Sequence, residues 1–203
     1  MNNHRDMKNY IRTQILSSVK TAEMIAGSPE ILSVINDAAR AVILSFRNHG
    51  KVMLAGNGGS AADSQHIAAE FVNRFYFDRD GLPAIALTTD TSVLTAIGND
   101  YGFDRVFARQ VKTLGNQGDV FIAFSTSGTS VNIIEALKEC RLKDIRSIGF
   151  TGSSGGKMID LCDILVKVPS EETPRIQEMH ILIGHIICSI VEEAIFKNQG
   201  QDN

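Results

Sequence analysis

The sequence predicts an α/β protein: a three-layer sandwich with a central five-stranded parallel sheet, preceded by an N-terminal helical hairpin. Three observations lead there. Five apolar runs of five or six residues recur along the chain, separated by helix-length stretches. Strands that alternate with helices form parallel sheets covered on both faces. Ahead of the first run lie two stretches with helical periodicity and no strand between them. The runs also end in glycine or hydroxyl-rich turns, where parallel sheets of this kind place their ligands.

In chain order, Ile11, Ile15, Leu16 and Val19 recur at helical spacing, as do Ile31, Val34, Ile35, Ala38, Val42, Ile43 and Phe46. Ser28 and Pro29 between them suit an N-cap and first helical position, and His49-Gly50 ends the second helix. The strand candidates are 51–55 (KVMLA), 83–87 (PAIAL), 119–124 (DVFIAF), 146–150 (RSIGF) and 164–168 (ILVKV). Helical stretches fall at about 60–75, 91–98, 104–114, 130–142 and 155–160, and a last helix at about 174–197. The expected ligand positions lie just after residues 55, 87, 124, 150 and 168. With no internal repeat or long linker, 1–203 reads as one domain, a hairpin over 1–50 and an α/β core over 51–203.

Composition narrows the function. The 203 residues are 43% hydrophobic and 21% charged, an ordinary globular balance. A net charge of −3 makes no electrostatic case for nucleic acid or an anionic membrane. The start, MNNHRDMKNYIRTQ, lacks an apolar signal core, and the apolar stretches read as too short to span a bilayer. Three scattered cysteines, Cys140, Cys162 and Cys188, read as small buried hydrophobes, reduced in a cytoplasmic protein.

Three segments carry chemistry. The first is LAGNGGSAADSQHIAAEF, 54–71. Gly56, Gly58 and Ala61 fit G-x-G-x-x-A, the dinucleotide turn, and Ser60 is placed to cap the next helix. That reading needs an acid about 20 residues on. The candidate, Asp90, lies 34 residues after Gly56. A phosphate or sugar hydroxyl fits the turn as well as a pyrophosphate. The second segment is STSGTS, 125–130, with five hydroxyls and a glycine. Ser125, Thr126, Ser127 and Ser130 can donate to a phosphomonoester beside a helix N-terminus. The bland alternative is a capping turn.

The third segment opens the last helix, TPRIQEMHILIGHIICSIVEE. Gln177 and His185 are eight residues apart, which puts them about 80° apart around the helix. His66 and Glu70 share one face of their own helix. If the helices meet, His66, Glu70, Gln177 and His185 converge as a set suited to Zn²⁺ or a similar cation. The alternative for such a histidine is a core imidazole satisfied by one hydrogen bond.

AGNGGSAADSQHIAAE, AIGNDYGFD, STSGTS and RIQEMHILIGH, in this order, resemble the phosphoheptose isomerases, sugar-isomerase (SIS) domain proteins of flavodoxin-like topology. The likeness runs from about residue 6 to 197. It implies an aldose-ketose isomerase converting sedoheptulose 7-phosphate to D-glycero-D-manno-heptose 7-phosphate through an enediol, the first step toward nucleotide-activated heptose for lipopolysaccharide or capsule. By that resemblance Glu70 is the general base and His185 the general acid. His66, Glu70, Gln177 and His185 hold one zinc per subunit. Asn57, Gly58, Gly59, Ser60, Arg74, Asn99, Asp100 and Gln177 contact the sugar, and Ser125, Thr126, Ser127 and Ser130 the phosphate. The expected assembly is a homotetramer with active sites between subunits. Pro174 stands where some members have an acid, so that acid's role does not transfer, and Glu172 is no substitute. The rival reading is a non-catalytic SIS tetramer that binds the replication initiator DnaA.

Overall fold

A computed structural model describes residues 3–197, so residues 1, 2 and 198–203 of the single-domain expectation lie outside the described residues. Helices α1 (Asn3–Ala26) and α2 (Pro29–Arg47) form the hairpin. Ser28 accepts a hydrogen bond from the Ile31 amide at 3.3 Å, and Pro29 takes the first turn, as its fixed φ favours. After α2, His49 adopts a left-handed φ of 61° and turns the chain toward the sheet.

Strands β1 (Val52–Gly56), β2 (Ala84–Ala86), β3 (Val120–Phe124), β4 (Arg146–Thr151) and β5 (Ile164–Lys167) are all parallel, in the order β2-β1-β3-β4-β5. β1 and β3 pair from Val52 opposite Val120 to Gly56 opposite Phe124. The strand order reverses between these two, so the crevice of an open α/β sheet belongs at their carboxyl ends.

Helices α3 (Gly59–Val72), α4 (Thr91–Tyr101), α5 (Val106–Leu114), α6 (Val131–Leu142) and α7 (Thr173–Phe196) complete the layers. One core packs α2, α3 and α7 on the sheet through Val42, Phe46, Ile67, Phe71, Ile183 and Ile187. The other packs α5 and α6 on the opposite face through Phe107, Val111, Ile133 and Leu137. Alternate residues of β1 divide between them: Val52 and Leu54 face one core, Met53 and Ala55 the other.

The expected elements are present, and within the single chain Ile11, Ile15, Leu16 and Val19 of α1 face outward. There are three departures. The 155–160 stretch is a 3-10 helix, Gly156–Asp160, entered through left-handed Gly155 and Gly156. α1 starts well before Ile11, because its polar first turns carry no apolar rhythm. And α7 is long and apolar enough to cross a membrane by length and composition, contrary to the expectation from the sequence. It instead packs along α2 and α3 with Ile183, Ile187 and Val191 buried.

Candidate active site

α3 and α7 meet closely because glycines sit where they touch. A Cβ on Gly184 would lie 2.6 Å from Ile67 Cδ1, and one on Gly59 would lie 2.7 Å from Gln177 Nε2. This approach brings the next residues on each helix together. His66 Nε2 and His185 Nε2 are 2.8 Å apart, and Glu70 Oε1 is 3.1 Å from His66 Nε2. One ligand atom from each lies within 4.8 Å of the other two. The His66 side chain is half exposed and that of Glu70 less so, so the group opens at the surface of the chain.

The donor set tests whether a cation fits. Two neutral imidazoles and a carboxylate converge their lone pairs, and one ring proton cannot serve every pair. Two nitrogens bound tetrahedrally to zinc at normal bond lengths lie about 3.3 Å apart. The 2.8 and 3.1 Å separations are close to that spacing, so His66, Glu70 and His185 fit such an ion. Gln177, beside Gly59, lies on the same helix two turns before His185. Burial holds the His185 imidazole pKa below its usual value, and His66 lowers it further while Glu70 partly opposes.

The glycine turn lies at the reversal of strand order. Gly58, at φ 57°, is the capping position of α3, and no side chain caps it. Ser60, expected to cap, is instead buried one residue into the helix, and its carbonyl accepts from the Ser64 hydroxyl at 2.8 Å. A Cβ on Gly56 would strike the Ser60 carbonyl at 2.4 Å, which explains glycine there. Asn57 pairs reciprocally with Asn132: each amide nitrogen donates to the other's oxygen, at 2.9 and 2.8 Å. Asp90, the would-be ribose acid, caps α4 by accepting from the Val93 amide at 2.9 Å.

The hydroxyl turn closes on itself and on its neighbour. Ser125 and Ser130 hydroxyls are 3.0 Å apart, and those of Ser127 and Thr129 2.9 Å. Gly128 is left-handed, its carbonyl accepts from the Lys157 amide, and a Cβ there would lie 2.2 Å from the Gly155 carbonyl. Ser130 caps α6 without a side-chain bond, so the helix N-terminus opens at this turn.

Other expected residues stand apart. Arg74 is exposed after α3. Asn99 donates to Asp100 at 2.8 Å on exposed α4, and among the described residues no hydrogen bond joins either to His66, Glu70 or His185. His180 belongs to the core: its ring is fully buried against Phe124 and Phe150, and Nε2 donates to the Thr151 carbonyl at 3.3 Å.

Two residues escaped the sequence reading. Asp63 lies one turn before His66, and burial raises its carboxyl to about 6 against the opposing pull of His66. One of its oxygens has no partner. Its spacing of three from His66 was the available signal. Asn132 had none, being 75 residues from Asn57.

The SIS domain family pattern matches residues 20–152. The chain is 59% identical over 193 residues to the phosphoheptose isomerase of Aneurinibacillus thermoaerophilus, covering 95% of this chain and 98% of that one. The structure of phosphoheptose isomerase GmhA from Neisseria gonorrhoeae superposes with a TM-score of 0.86 at 42% identity, over 92% of this chain and 99% of that one. A phosphoheptose isomerase from Francisella tularensis superposes with a TM-score of 0.84 at 38% identity, over 95% and 100%.

Proposed function

Since the chain belongs to the phosphoheptose isomerase family of SIS-domain proteins and is an isomerase acting on a sugar phosphate, we propose that it converts sedoheptulose 7-phosphate to D-glycero-D-manno-heptose 7-phosphate. The observation that carries this is the convergence of Glu70, His66 and His185 where α3, the helix that the glycine turn opens, meets α7. The relatives favour the enzyme over a DnaA-binding platform.

Phosphate binds Ser125, Thr126, Ser127 and Ser130 at the N-terminus of α6 and orients the reacting carbons. Asn57, Gly58, Gly59 and Ser60 approach the sugar hydroxyls, joined by Arg74, Asn99, Asp100 and Gln177. Glu70 takes a proton from C1 while His185 gives one to the C2 oxygen, forming an enediol; His185 then takes the proton of the C1 hydroxyl as Glu70 returns its proton to C2, which leaves the carbonyl at C1. Glu70 Oε1 faces His66, which leaves Oε2 for the sugar. Burial and His66 favour the neutral imidazole of His185, which can accept and return a proton while no metal occupies its nitrogen. One zinc per subunit, held by His66, Glu70, Gln177 and His185, would polarise the substrate's oxygens when bound.

The assembly in this reading is a homotetramer with active sites between subunits. The exposed apolar face of α1 and the open side of His66 support it. Three free thiols accord with a cytoplasmic protein.

The test is direct. Purified protein mixed with sedoheptulose 7-phosphate is expected to form an aldose phosphate. Glu70→Gln is expected to remain folded and lose at least about 10²-fold in turnover, the scale of a lost general base. Near-normal turnover in that variant would remove Glu70 from proton transfer.

A further inference from the structure

Resting on that reading of Glu70 and His185, we propose that the buried Arg79–Glu192 ion pair positions both proton-transfer side chains. Among the described residues neither partner hydrogen-bonds to a side chain of the site. Arg79 Nε donates to Glu192 Oε1 at 3.0 Å, with side chains 2% and 1% exposed. A pair so buried is tolerated only when its remaining donors and acceptors are satisfied.

Arg79 spends those donors on the end of α3. Its Nη2 donates to the Glu70 carbonyl at 2.8 Å, and its Nη1 to the carbonyls of Phe71 at 2.7 Å, Asn73 at 3.2 Å and Asp80 at 2.9 Å. The last carbonyls of a helix have no partner within it, and they carry the negative end of its dipole. A guanidinium from outside the helix therefore caps α3 at the turn bearing Glu70.

Glu192 supplies the second arm. Its oxygens accept from the Phe75 amide at 2.8 Å and the Tyr76 amide at 2.7 Å. The Phe75 ring lies 5.6 Å from that of His185, inclined by 31°. Burial raises the Glu192 carboxyl, but those two amides and Arg79 outweigh it and leave its pKa below the usual value. One carboxylate thus holds a wall against the imidazole and anchors the cap behind Glu70. An apolar pair of equal volume could fill the space without holding either.

The test uses Glu192→Gln and Phe75→Leu in the full chain, with Glu70→Gln alongside. Both variants are expected to lower kcat by about 10- to 10²-fold, the scale of a small misplacement. KM is expected to stay within about threefold, because the phosphate turn is untouched. In chelator-treated protein, histidine ring ¹H–¹⁵N spectra are expected to show the His66 and His185 signals moving toward those of unpaired imidazoles. Folded Glu192→Gln with wild-type kcat and an unchanged histidine spectrum would overturn the proposal, as would an effect confined to KM. If Glu192→Gln does not fold, Phe75→Leu decides: wild-type kcat sinks the proposal, a fall with a shifted His185 signal sustains it. Loss of activity in Glu70→Gln alone leaves the isomerase reading standing and removes this one. Full activity in Glu70→Gln removes both.

Discussion

At the scale of single residues, the His66 and Glu70 side chains meet 3.1 Å apart at the half-exposed mouth of the cluster, while His180 lies fully buried in the core. His66 and Glu70 were legible because a spacing of four on one helix brings side chains together without knowledge of the fold. The raised carboxyl of Asp63 and the core position of His180 both arise from burial. Burial lowers the His180 pKa from 6.5 to about 4. The unfolded chain therefore binds a proton there that the folded chain refuses, and stability falls as pH drops from 6.5 toward 4. Relative to His180→Gln, the wild type is expected to lose about 2–3 kcal/mol between pH 7 and 4.5. Urea midpoints at both pH values check it; equal losses in the two proteins would contradict it. Gly128→Ala forces a left-handed residue and a carbonyl clash at once. It is expected to cost at least about 1–3 kcal/mol in urea unfolding and to weaken inorganic phosphate binding.

At the scale of elements, apolar rhythm placed the strands to within a residue or two, since the central three are nearly all buried and bounded by turn residues. It failed where the rhythm is absent, at the polar start of α1, and where glycines tighten the coil, at Gly156–Asp160. The crossing of α3 and α7 was only conditional in the sequence, because no local pattern says which helices touch. Its closeness depends on Gly184, where added bulk would meet Ile67. Gly184→Val is expected to push the helices apart, cost about 1–3 kcal/mol by overpacking, and part His66 from His185. A competition titration with a chromophoric chelator is expected to show weaker zinc binding than in the wild type. Unchanged affinity would mean that the crossing does not set the ligand spacing.

At the scale of the molecule, the resemblance implied a flavodoxin-like topology but the residues themselves did not give the strand order, since pairing between strands leaves no mark within any one of them. Tyr10, Ile11, Ile15 and Leu16 leave one face of α1 uncovered within the single chain. Apolar area of this kind supports the proposed subunit contact. Ile15→Glu is expected to lower the assembly mass in sedimentation velocity while leaving helix content intact. An unchanged mass would remove this face from the proposed tetramer's contacts.

The paired amides of Asn57 and Asn132 bear on how the protein ages. Asn57 precedes Gly58, the sequence context in which an asparagine most readily cyclises to a succinimide and deamidates. The cyclisation needs the side-chain carbonyl carbon to swing onto the next backbone nitrogen, a motion that its bond to Asn132 opposes. Asn132→Ala is therefore expected to accumulate aspartate and isoaspartate at position 57 on storage, seen by peptide mass spectrometry, while the native chain keeps its asparagine.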